Sequence, residues 1–201
     1  MKDGIVNVFK PAGMTSHDVV GKLRKVYQTK KVGHTGTLDP DAIGVLPICI
    51  GQATRLAEYF TEKEKNYRTI LKFGMETTTQ DQSGEPILKT DLPKLDKEAF
   101  IKLLEEKFIG DIAQIPPMYS AIKKDGQPLY KLARQGITVD IEPRIVNISK
   151  IEVLMYNQES AMLDITCSKG TYIRTLCQDI GRACGSSAYM GYLMRRKSGA
   201  F

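Results

Sequence analysis

The sequence predicts an α+β fold: a mixed, largely antiparallel sheet with helices packed on it. Three observations lead there. Stretches with a period of two, such as Tyr67/Thr69/Leu71/Phe73 against Arg68/Ile70/Lys72, occur beside stretches with helical spacing, such as Phe100, Leu103, Leu104 and Phe108. The two kinds follow one another without regular strand–helix–strand alternation, which argues against a doubly wound parallel sheet. Two long strand-like runs, Ile145 to Tyr156 and Ala161 to Cys167, are separated only by a short polar turn, as in an antiparallel hairpin.

Taken in order, Gly4 to Phe9 is a short apolar run that ends at Lys10-Pro11 and reads as a strand. Thr15 followed by Asp18 has the spacing of a capping box, so a helix starts here and carries Val19, Val20, Leu23 and Val26 at helical spacing. Val45 to Ile50 is apolar but contains Pro47, which places that strand near a sheet edge. Ala53 to Phe60 is read as a short helix with Leu56 and Phe60 inward, Tyr67 to Phe73 as a strand, and the polar stretch Glu76 to Gly84 as an exposed loop. Asp96 to Phe108 is an amphipathic helix. Gln114 to Ser120, with its Pro116-Pro117 pair, runs extended. Leu129 to Arg134 gives one or two helical turns closed by Gly136. After the hairpin, Thr171 to Ala183 is a helix that buries Ile173, Leu176, Cys177 and Ile180 and stops at Gly185; Tyr189 to Arg196 is a strand. No repeat or shift in composition marks a second domain, so residues 1–201 are read as one.

The chain has 201 residues, 42% hydrophobic and 26% charged, the balance of an ordinary globular protein. No apolar run approaches a membrane span and no secretory signal core opens the chain. Cys49, Cys167, Cys177 and Cys184 form no CxxC pair, which favours buried thiols of a reducing cytosol over disulfides or zinc ligands. The formal charge is +6, and both ends are basic: residues 1–34 carry seven Lys/Arg against two Asp, residues 168–201 six against one. Should the ends meet in the fold, they make one positive surface suited to a polyanion.

The stretch Gly33 to Gly44, GHTGTLDPDAIG, has too many glycines and too little periodicity for a helix or strand interior, and reads as a structured loop. Gly33, Gly36 and Gly44 permit unusual backbone conformations, and Pro40 drives Asp39 towards extended geometry. On the loop alone, a chemical role for Asp39 and a plain turn in which it bonds only its own backbone are equal alternatives. Metal chemistry finds no support, since His17 and His34 lack ligand spacing and the acids do not cluster. The GK[ST] ending of a P-loop and a GxSxG nucleophile are likewise missing. A lone Asp used as nucleophile or base must stay ionised against a substrate, which calls for a fixed Arg partner.

The run GHTGTLDPDAIGVLPICIGQAT resembles the catalytic motif of the TruB family of tRNA pseudouridine synthases, in the form of its bacterial stand-alone members. KPAGMTSHDVV at 10–20, KNYRTILKFG at 65–74, PPMYSAIKKDGQPLYKLARQG at 116–136 and SKGTYIRTLCQDIG at 168–181 resemble that family in the same order. The resemblance implies the pseudouridine synthase fold and isomerisation of uridine 55 in the T-loop of tRNA. The base would be flipped out, and no cofactor or metal would take part. It makes Asp39 the nucleophile, Tyr67 the tyrosine against the target ring and a candidate to take the C5 proton, and Arg174 the partner of Asp39. His34 corresponds to the histidine that fills the space left by flipped nucleotides, and Leu193 to an apolar residue lining the uracil pocket. Lys10 resembles a lysine beside the site and joins the substrate contacts, with a structural role as the equal alternative. In residues 116–136, Tyr119, Lys123, Lys131 and Arg134 suit phosphate contact and base stacking.

The expected partner is the T-arm stem-loop of tRNA, and the expected form a cytoplasmic monomer. The ending LMRRKSGAF departs from the family's usual LRRTxxGxF, so no role carries over to Arg195 or Arg196, and Tyr189 stands where a His is usual. Bacterial members carry a small C-terminal RNA-binding domain beyond this point, so the chain is expected to be the catalytic domain alone. The alternatives are an RNA-binding or tRNA-folding module without chemistry and, more weakly, a metal-free hydrolase. The trio Asp39, Tyr67 and Arg174 speaks for the synthase, because a pure binder has no use for it.

Overall fold

A computed structural model of the chain describes residues 3–201. Its first half holds β1 (Gly4–Lys10), α1 (Ser16–Val26), β2 (Val32–His34), β3 (Ile43–Ile50), a 3-10 turn (Gly51–Leu56) running into α2 (Ala57–Thr61), β4 (Lys65–Phe73), β5 (Met75–Thr77) and β6 (Pro86–Lys89). There follow α3 (Lys97–Phe108), β7 (Gly110–Gln114), β8 (Lys123–Lys124), β9 (Gln127–Pro128), α4 (Leu129–Arg134), β10 (Arg144–Tyr156), β11 (Ser160–Cys167), α5 (Ile173–Ala183) and β12 (Ala188–Ser198).

The main sheet runs β1-β3-β12-β4-β11-β10-β7, with β2 also beside β3. All its pairings are antiparallel except one short contact, Met194 and Arg195 of β12 against Ile43 and Gly44 of β3. β1 covers one whole edge of β3, so β2 and β12 share the other, β2 at Ile48–Ile50 and β12 at the opposite end. Pro47 therefore sits one strand in from the edge formed by β1, near an edge as expected but with neighbours on both sides. The sheet tolerates it because the Thr35 N–H donates to the Pro47 carbonyl where β2 stops, and the missing Pro47 N–H faces that same gap. Since β1 and β12 both flank β3, the two basic ends of the chain meet.

The helices form as their sequences require. The Thr15 hydroxyl accepts from the Asp18 N–H at 3.0 Å while the Asp18 carboxylate accepts from the Thr15 N–H at 2.8 Å, a complete capping box worth about 1 kcal/mol. Asp96 caps α3 through the Ala99 N–H. The core gathers Val19 and Val20 of α1, Phe100 and Leu104 of α3 and Leu176 and Ile180 of α5 with Leu46, Ile48, Leu71, Leu163 and Ile165 from the sheet. Each such side chain contributes about 1.5–3 kcal/mol by leaving water. Phe100 stacks on Tyr156 at 4.5 Å and meets Phe73 edge-on at 6.0 Å. All four cysteines are buried and free.

Three expectations change. Leu56 ends the 3-10 turn with half its surface in solvent, while Phe60 alone turns in, against Phe201. Glu76 to Gly84 is not an exposed loop: Glu76 and Thr77 are buried, and Gln82 and Met190 join the segment to β12 by backbone hydrogen bonds. Its polarity is spent inward, with Glu76 accepting a bidentate pair from Arg182 and another bond from Gln178. The run Gly33 to Gly44 is partly strand, with Gly33 and His34 in β2 and Ile43 and Gly44 in β3. Gly33 has ordinary dihedrals, whereas Gly36 and Gly44 have φ of 133° and 112°.

Candidate active site

Asp39 stands on the connection from β2 to β3, which several segments hold from below. Ser16, the first residue of α1, accepts from the Leu38 N–H at 2.8 Å and donates to the Leu38 carbonyl at 3.2 Å. Thr35 is fully buried, with its N–H and hydroxyl both on the Pro47 carbonyl. Lys10, at the end of β1, has no exposed surface and donates to the carbonyls of Pro11, Met14 and Pro40 at 2.8, 2.6 and 2.9 Å. Burial lowers the Lys10 pKa, and the charges of Asp39 and Asp41 partly oppose that. All three Lys10 donors are used, so it cannot serve as the expected substrate contact; it braces the turn that carries Asp39.

The Asp39 carboxylate is not absorbed by its own turn. Its Oδ2 receives Arg174 Nε at 3.0 Å and its Oδ1 receives Arg174 Nη2 at 3.4 Å, a side-on pair that leaves 37% of the Asp39 side chain exposed. Arg174, in the first turn of α5, is itself 7% exposed and also donates to the carbonyls of Tyr119 at 2.8 Å and Thr79 at 3.1 Å. Asp81 lies 3.8 Å from the same guanidinium. One buried Arg thus joins the Asp39 loop, the 76–84 segment and the 116–122 segment. Burial pushes the Asp39 carboxyl above the ordinary carboxylate value; Arg174 pulls it back, and Asp81 pushes it further up. An anion that is costly to hide, gripped on one side and open on the other, is arranged to act on a ligand.

Tyr67 lies on β4, half-buried, opposite Arg195 of β12 in the register. Burial pushes its phenol up, the Arg195 guanidinium beside it opposes this, and the Asp39 charge adds to the rise. His34 is half-buried at the end of β2, and its Nδ1 accepts from the Gly36 N–H at 3.3 Å, which leaves Nε2 as the donor. Burial first, then Arg195 and His17, lower its pKa, so the ring is neutral at pH 7. Tyr119 reaches the site through its carbonyl. Lys123, Lys131 and Arg134 are exposed on the segment that Tyr119 anchors, and the Arg134 guanidinium sits over the Tyr130 ring at 5.6 Å. Leu193 is 7% exposed and belongs to the main core, opposite Thr69 in the register.

The model of the TruB family pseudouridylate synthase N-terminal domain matches residues 24–173, three quarters of the chain. The chain belongs to the TruB family of pseudouridylate synthases. A tRNA pseudouridine synthase B of Alkaliphilus oremlandii is 50% identical over 99% of this chain and 66% of its own length. One of Heliobacterium mobile is also 50% identical, over 99% of this chain and 65% of its own. The chain therefore spans about two thirds of the curated TruB relatives it matches. Among solved structures, a chain from a Cbf5-Nop10-Gar1 complex is similar with a TM-score of 0.75 at 31% identity, over 98% of this chain and 49% of that one.

Four TruB residues at this site had no reading from the sequence: Ser16, Asp81, Tyr172 and Arg195. Asp81 lay in a stretch whose polarity reads as solvation. Tyr172 stands two residues before Arg174, close enough for Arg174 and Asp39 to influence its phenol. Arg195 carried a readable signal, because strand alternation puts it on the same face as Leu193, where a charge is out of place.

Proposed function

We propose that this chain converts uridine to pseudouridine in tRNA, at position 55 of the T-loop, with Asp39 as its nucleophile. The carrying observation is the Asp39 carboxylate, pinned along one edge by a buried Arg174 and exposed on the other. The relatives named tRNA pseudouridine synthase B support the substrate class.

The target base is stacked in the folded arm, so it must be extruded, at a cost of a few kcal/mol. The neutral His34 ring at the loop's edge is suited to fill the vacated space, and the exposed cations of residues 116–136 to hold phosphates. The Asp39 carboxylate attacks C1′ of the ribose or C6 of the ring. In both courses the N-glycosidic bond breaks, the uracil turns in place, C5 bonds to C1′, the bond to Asp39 breaks and frees the carboxylate, the C5 proton leaves, and N1 takes up a proton. Tyr67 is our candidate to receive the C5 proton. The only groups this scheme calls on are a carboxylate, a phenol and the cation that holds the carboxylate.

We further infer that residues 1–201 are the catalytic domain and act as a monomer in the cytoplasm. Four buried free thiols suit a reducing compartment, and among the described residues no helix is long and apolar enough to cross a membrane. The test is incubation with a T-arm stem-loop RNA, then mass-shift labelling of pseudouridine. Wild type should label the RNA and Asp39→Ala should not. Equal labelling by both would end the assignment, and binding without labelling by wild type would favour a non-catalytic RNA module.

A further inference from the structure

Arg195 is 1% exposed, yet among the described residues no carboxylate forms an ion pair with it. A buried cation without a counter-ion is tolerated only where its donors are met. Here each of its three nitrogens finds a main-chain carbonyl on one or other side of Asp39. Nε donates to the Val45 carbonyl at 2.7 Å, Nη2 to Gly36 at 3.1 Å and Nη1 to Thr37 at 3.4 Å. Gly36 and Thr37 precede Asp39 and Val45 follows it, so the guanidinium closes the base of the loop like a staple. The approach is tight: a Cβ on Gly44, the parallel neighbour of Arg195, would lie 2.2 Å from the Arg195 carbonyl oxygen. Tyr67 is the cross-strand partner of Arg195, so its side chain lies beside the guanidinium on the same face of the sheet.

We propose that Arg195 is a positioning residue whose planar fork sets both the loop presenting Asp39 and the phenol of Tyr67, and so fixes the distance between the two reacting side chains. This rests on the assignment of Asp39 and Tyr67 to the chemistry above. A lysine could not do the same, since one ammonium cannot reach carbonyls on both arms of the loop and a phenol.

The test compares Arg195→Met and Arg195→Lys with wild type in the full chain. The readouts are single-turnover pseudouridine formation in a T-arm stem-loop RNA, the Kd for that RNA, and amide hydrogen exchange across residues 36–45. For Arg195→Met the rate should fall about 100-fold, the cost of misplacing a reacting group by about 1 Å, with Kd unchanged. Exchange should quicken at 36–45 while β4 and α5 stay protected. Arg195→Lys should recover only part of the rate, and it decides alone if the Met variant does not fold. A wild-type rate and wild-type exchange in the Lys variant would overturn the proposal. So would rate and Kd that weaken together with protection lost across the whole sheet, the pattern of a plain core residue. If wild type itself forms no pseudouridine, the Asp39 assignment fails, and exchange at 36–45 still decides whether Arg195 holds the loop.

Discussion

Replacing Arg174 by lysine keeps a positive charge beside Asp39 and removes the fork. The guanidinium serves two Asp39 oxygens, at 3.0 and 3.4 Å, and the carbonyls of Tyr119 and Thr79 at 2.8 and 3.1 Å. A lysine ammonium has three donors on a single nitrogen and cannot span three residues, so one or both carbonyls lose their partner. A lost charged hydrogen bond costs about 1.5–3 kcal/mol, and the expected destabilisation of Arg174→Lys is therefore about 3 kcal/mol. A carboxylate gripped at one point instead of two drifts by about 1 Å, and single-turnover rate should fall about 100-fold, or about 2.7 kcal/mol in barrier. RNA affinity, dominated by phosphate contacts elsewhere, should hardly change. Arg174→Met separates charge from geometry. With the cation gone, burial and Asp81 act on Asp39 against Lys10 alone and raise its pKa further, so the acid limb of the rate profile moves to higher pH. The lysine variant keeps the charge and should leave that limb in place. Single-turnover rates across pH, with chemical denaturation alongside, read both effects. A lysine variant that turns over at the wild-type rate, or a methionine variant whose acid limb does not move, would refute the two-point grip.

The remaining predictions concern the same loop and the proposed RNA substrate. Because the folded-state pKa of Asp39 lies above its ordinary 3.8, the native protein holds that proton more tightly than the unfolded chain, and ionisation weakens the fold as pH rises past 3.8. Asp39→Asn should therefore stabilise at neutral pH, with no gain well below 3.8; urea titrations at both pH values check this. Gly44→Ala places a Cβ 2.2 Å from the Arg195 carbonyl oxygen at a φ of 112°, and should cost about 3 kcal/mol or more in the same assay. Affinity for T-arm RNA should fall with salt at a log–log slope of about −0.7 per single-strand phosphate contacted, and a flat profile would remove the charge argument.

Much of the fold was legible locally. The capping box at Thr15 and Asp18, the apolar spacing of α3 and α5, and the hairpin of β10 and β11 all depend on neighbours a few residues apart, and all appear where the sequence places them. The motif resemblance named Asp39 and Arg174 in advance, and the structure brings the two into contact. Two elements of the frame were illegible for a physical reason. β7 and the β5–β6 hairpin are too short to show a period, and they form because β10 and the end of α5 offer partners.

What the sequence alone determined is therefore the α+β class, the helices and the long strands, and the family to which the chain belongs. Each follows from spacing along one segment or from motifs read in order. Only the tertiary structure decided that Glu76 is buried on Arg182, and that Lys10 and Arg195 are interior cations turned towards the Asp39 loop. A buried charge survives only where oxygens from distant segments converge on it. Those oxygens are main-chain carbonyls, which every residue carries, so no pattern of side chains announces where they will meet.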